Sequence, residues 1–155
     1  MSPEEKIQSA LMVAAEEFLT DNATIGTETG LPTLTDSEVA KPNREFKSKG
    51  KKVWAAIWYF PNSPVSRTVG EGGIDELTGF VQIDINVNLG TGGSTHKKWN
   101  RKGRIFFRPG RSFIYSNQSV TVTQSGMSPG RPVDGFYRAS FTINFSGDVK
   151  RFTTS

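Results

Sequence analysis

Along residues 77–89, LTGFVQIDINVNL, apolar and polar positions alternate. Val81, Ile83, Ile85, Val87 and Leu89 share one side of an extended chain; Gln82, Asp84, Asn86 and Asn88 share the other. A period of two, rich in β-branched residues and bounded by Gly79 and the glycine run at 90–93, predicts a half-buried strand over 78–89. Residues 136–145 repeat the pattern, with Tyr137, Ala139, Phe141, Ile143 and Phe145 set against Arg138, Ser140, Thr142 and Asn144. Two amphipathic strands that share an apolar face need a cover.

The pattern also supplies the cover. Ile7, Ala10, Leu11, Ala14 and Phe18 recur at helical spacing, with Glu4, Lys6, Gln8 and Glu17 off the stripe. Ser2, Pro3 and Glu5 carry the start signals, so a helix is predicted over 3–20. Ser94 opens a second helix, 94–107, carrying Trp99, Phe106 and Phe107 and interrupted by Gly103. Residues 53–60, VWAAIWYF, predict a strand with no polar face, so one side must meet something other than water. Further strands are predicted at 113–115 and 119–124. A long aperiodic loop covers 23–50, a Gly/Pro/Ser-rich loop covers 61–76, and a tail follows over 148–155. The expected architecture is α+β: one domain with a mainly antiparallel sheet of four to five strands and two helices packed on one face.

Composition narrows this picture. A chain of 155 residues, 35% hydrophobic, suffices for one ordinary core. The charged opening, Met1-Ser2-Pro3-Glu4-Glu5, does not read as a secretory leader, and no apolar run of about 18 residues predicts a membrane span. With no cysteine and only His96 as histidine, disulfide staples and a Cys/His zinc site are excluded. The Gly-Thr-Gly-Gly run lacks the Gly-Lys-Ser/Thr of a phosphate loop and reads as a strand-to-helix turn. Asp84 and Asp134 have no paired carboxylate, and Asp84 reads as a solvated acid on a polar strand face. His96 reads as a surface residue. No nucleophile, base and orienting group can be assembled, so neither catalysis nor a cofactor is expected.

The net charge of +4 permits a polyanionic partner without specifying one. Basic residues gather twice, as Lys47, Lys49, Lys51 and Lys52 at the end of the first loop, and as Lys97, Lys98, Arg101, Lys102, Arg104 and Arg108 in the second helix. The helical set reads first as a solvated face and second as a surface for phosphate or an acidic partner. Trp54, Trp58 and Phe60 lie on one side of their strand and make it a candidate subunit interface.

The order of elements resembles the tail terminator proteins of long-tailed bacteriophages. The resemblance is carried by residues 77–85 with Gly90, Gly92 and Gly93, by residues 107–110, and above all by 126–138, GMSPGRPVDGFYR, a turn into an aromatic closing strand. It implies a structural virion protein, assembled in the host cytoplasm as a ring of six subunits at the head-proximal end of the tail. The implied partners are other copies of the chain, the tail tube protein and a neck protein, with the genome passing through the lumen without specific binding. On this view Trp54, Trp58, Phe60, Lys47, Lys49, Lys51, Lys52, Lys97, Lys98, Arg101 and Arg104 are candidates for contacts between subunits or with the tube. A head-tail connector of the neck is the alternative. A monomeric basic nucleic-acid-binding module fits less well, because Phe80 and Phe136 lie only at the margins of the polar strand faces instead of interleaving with charge.

Overall fold

The computed structural model describes residues 1–20, 33–41, 45–70, 72–89 and 94–151. The glycine run at 90–93, much of the predicted 23–50 loop and the final four residues lie outside them. Helix α1 (Pro3–Thr20) starts where Ser2 Oγ accepts the Glu5 N–H at 3.2 Å, and buries Ile7, Leu11, Ala14, Phe18 and Leu19. The chain then forms β1 (Val39–Ala40), β2 (Val53–Pro61), β3 (Val65–Ser66) and the long β4 (Ile74–Asn88). After α2 (Ser94–Phe106) come β5 (Ser112–Tyr115), β6 (Gln118–Met127), β7 (Arg131–Val133) and β8 (Phe136–Lys150).

The expected four to five antiparallel strands are corrected to eight in a mixed sheet that curls into a half-barrel. Its order is β1-β2-β4-β8-β6-β5, with β3 on β4 and β7 on β8, and β1 runs parallel to β2. The extra strands are short for a physical reason. Pro61 and Pro64 break the chain between β2 and β3, and Ser128-Pro129-Gly130 breaks it between β6 and β7, but each short piece rejoins the same long neighbour. A two- or three-residue strand has no period to detect. The sheet's centre is the β4–β8 ladder, which pairs every residue of β4, from Ile74↔Lys150 to Asn88↔Phe136. Thus residues 148–150, expected in a tail, belong to β8.

Two tight hairpins order the second half. Ser116 (φ 48°) and Asn117 (φ 68°) connect β5 to β6, while Asp134 (φ 50°) and Gly135 (φ 82°) connect β7 to β8. Both are two-residue turns with positive φ at each position, the twist that joins antiparallel strands without splaying them.

Both helices cover one face of the sheet, the inner face. There Val81, Ile83 and Ile85 of β4 and Phe141, Ile143 and Phe145 of β8 are at most 1% exposed. Phe18 of α1 lies edge-on to Trp99 of α2 at 5.3 Å and packs beside Phe141 at 5.9 Å. Gly103, the interruption in α2, has a packing role: a Cβ at that position would sit 2.6 Å from the Phe141 ring, so glycine lets helix and strand close together. Each such buried phenylalanine contributes roughly 1.5–3 kcal/mol relative to exposure.

Candidate interaction surfaces

The outer face carries the polar residues of β4 and β8, and they are more buried than expected. Asp84, predicted to be solvated, is 6% exposed. Its Oδ2 accepts the indole N–H of Trp58 at 3.0 Å, and its Oδ1 accepts from Gln82 Nε2 at 2.8 Å and Ser140 Oγ at 2.6 Å. One turn of the pleat away, Asn86 is fully buried and accepts from Arg138 Nε at 2.7 Å. Arg138 in turn lies over the Trp54 ring. Buried polar groups require partners of this kind, since each one left unsatisfied costs about 1–3 kcal/mol.

The predicted β2 cluster divides within this network. Trp54 is half-buried, held between Phe46 at 4.9 Å and Phe136 at 5.8 Å, with Lys51 placed over Phe46. The 45–52 segment therefore folds onto the outer face and covers its first half. Trp58 and Phe60 remain 46% and 43% exposed, Phe60 packing on Phe80. Lys47, Lys49 and Lys52 are exposed beside them in sequence, and Lys47 lies 4.0 Å from Glu45. On the opposite side of β2, Ala55 and Ile57 are core and Tyr59 stacks on Phe145. Burial raises the Tyr59 phenol to about 12.

Helix α2 lies on the other side of the sheet, so the two predicted basic groups do not form one site. Lys97, Arg101 and Arg104 are exposed on α2 and Lys98 is partly so. Two members of that helix leave the surface entirely. Lys102 is 2% exposed: its ammonium donates to Phe18 O at 2.7 Å, closing the C-terminal end of α1, and lies over the Phe18 and Trp99 rings. His96, expected at the surface, is 4% exposed, stacked on Tyr137, with Nε2 3.0 Å from Ile85 O. Burial lowers its pKa below the ordinary histidine value, against a smaller opposing effect of the Ile85 carbonyl. Both positions were detectable, since Lys102 and His96 stand three residues either side of Trp99 and so share its buried stripe.

Between α2 and β6 runs a groove of about 650 Å³ lined by Lys97, Asn100, Arg101, Arg104, Ile105 and Gln124. It continues past Lys97 and Asn100 into a smaller recess of about 280 Å³ bounded by His96, Gly130 and Tyr137. Among the described residues, no cluster of three or more His, Cys, Asp or Glu could hold a metal, and no helix is long and apolar enough to cross a membrane.

The sheet is thus backed by two helices, with aromatic residues exposed on one side and a basic groove on the other. A family model described as phage tail terminator protein matches residues 6–145, and the chain belongs to that family. It is accordingly a structural protein of the phage tail, a component of the virion that contacts other tail parts. A solved structure 18% identical to this chain matches it with a TM-score of 0.64, over 96% of this chain and 98% of its own, and has the same fold. No curated protein matches the chain.

Proposed function

We propose that the chain assembles into a ring of six subunits that ends the tail tube at its head-proximal end and joins it to the neck, the genome passing through the lumen without specific binding. Membership of the terminator family across residues 6–145 carries this reading. The distribution of exposed apolar side chains supports it. Trp58 and Phe60 stand on β2, near one edge of the sheet, and Ile114, 71% exposed, stands on β5 at the opposite edge. Contacts that close a ring head to tail use two different patches on each subunit. In this arrangement Trp58 and Phe60 sit in the joint with Lys47, Lys49 and Lys52 at its rim, while Trp54 and Lys51 support the patch from behind. Lys97, Lys98, Arg101 and Arg104 of α2 face the tube or a neighbouring subunit. The ring is built in the host cytoplasm before it joins the virion.

The mass in solution tests the proposal. Light scattering across a concentration series should find a particle near six times 17.0 kDa. A monomer or dimer at every concentration would overturn it.

A further inference from the structure

We infer that the groove between α2 and β6 is a docking site for an extended, acidic segment of another protein chain. Charge is the first ground. Helix α2 contains five basic residues, Lys97, Lys98, Arg101, Lys102 and Arg104, and no acid. Lys97 and Arg104 line the groove without an acidic partner among the described residues. Five acids elsewhere on the chain are engaged with other cations: Asp75 with Arg151, Glu76 and Asp148 with Arg67, and Glu16 and Asp36 with Lys41. An acidic partner would supply the negative charge that Lys97 and Arg104 lack among the described residues.

The second ground is independent of charge. Asn100 Oδ1 and His96 Nδ1 are buried and have no hydrogen-bond partner among the described residues, and their side chains line the recess that continues the groove. With Nε2–H of His96 donated to Ile85 O, its Nδ1 is an acceptor, as is Asn100 Oδ1. Two unmet acceptors beside two unmet cations fit a ligand offering donors and negative charge together. A peptide does so, since its backbone supplies N–H groups and its acidic side chains supply carboxylates. Ile105, half exposed, and Pro109 add an apolar contact to the same groove. A nucleic-acid duplex offers only phosphate to such a wall, and among the described residues no exposed aromatic side chain lines the groove to stack a base. The inference names a partner surface within the proposed function, but its test does not depend on ring formation.

Fluorescence anisotropy with the full chain separates the outcomes. The probes are a short labelled peptide alternating glutamate with leucine and a labelled DNA duplex, each titrated at low and physiological salt. The peptide should bind more tightly than the duplex at physiological salt. Lys97→Glu with Arg104→Glu should weaken it by about tenfold, as expected for two solvent-screened ion pairs. Asn100→Ala should weaken it several-fold at both salt concentrations, because that contact is not ionic. Lys52→Glu, on the other side of the sheet, should leave it unchanged. Absence of peptide binding, indifference to the α2 substitutions, or tighter binding of the duplex through Lys97 and Arg104 would each overturn the inference. Mass measured on the same samples reports ring formation separately, so either idea can fail alone.

Discussion

The two faces of the one sheet are built on different principles. On the inner face, Val81, Ile83, Ile85, Phe141, Ile143 and Phe145 are interchangeable in kind: each is apolar, covered by a helix and stabilised by the area it removes from water. On the outer face, Asp84 and Asn86 are buried only in specific combinations, satisfied by the half-buried Ser140 and Arg138. Area alone can hold a fold together. A network of directed bonds can in addition hold one exposed side chain in a fixed pose, and Trp58, bonded at its indole N–H to Asp84, is that side chain.

Four changes test this contrast, from the largest effect to the smallest. Phe141→Ala removes a fully buried ring in contact with Phe18 and Phe107, and should cost about 3–5 kcal/mol in urea unfolding. A loss below 1 kcal/mol would mean that the inner face can collapse around the gap. Asp84→Ala strands three donors on the outer face and should cost about 1–3 kcal/mol, with Asp84→Asn recovering part of it. Equal stability of the alanine variant would show that water serves those donors as well as the carboxylate does.

Trp58→Ala should change subunit stability by less than about 1 kcal/mol, because nearly half of the residue is already in water, while reducing the assembled fraction in light scattering. If instead the subunit loses much more stability than that while its folded fraction assembles as before, Trp58 belongs to the core. The smallest effect is one of pH. Because His96 in the folded chain has a pKa below its unfolded value, the unfolded chain binds more protons as pH falls through about 6.5, and stability should decline there. Unfolding midpoints measured from about pH 7.5 to about pH 5, on either side of the ordinary histidine value of ~6.5, should show this slope, and His96→Gln should flatten it.

Much of the inner face was legible in the sequence, because burial on one side of a strand or helix imposes a period. The rows through Val81 and Phe141 and the stripe through Ile7 and Phe18 are the buried rows of the structure, except that Leu89, placed at the end of the first row, is 54% exposed just beyond β4. The outer face was not legible. Asp84 has the composition of a solvated residue, and only the arrival of Trp58 and Ser140 from other strands, 26 and 56 residues away, makes it a buried hub. Strands β1, β3 and β7 were missed because pieces of two or three residues depend on neighbours for their pairing. Among the candidate interface residues, that Trp54 is half-buried while Trp58 stays exposed turned on Phe46, in a segment with no period to place it. The groove beside α2 was legible as charge alone; its unmet acceptors at His96 and Asn100 were not, because sequence does not reveal which side chain atoms lack partners.

The β4–β8 ladder also sets the order in which the protein can form. Its pairs join residues between 48 and 76 positions apart, for example Asn88 with Phe136 and Ile74 with Lys150. During synthesis, the β5–β6 hairpin and the β2–β4 pair can form as soon as they emerge, but the strand that lies between them is made after both. Until then, both edges of the future middle of the sheet stand open, and closing so distant a pairing is slow compared with local hairpin formation. A shortened chain lacking β8 would therefore lose its central strand, leaving two unconnected fragments of sheet with unpaired edges and a tendency to aggregate.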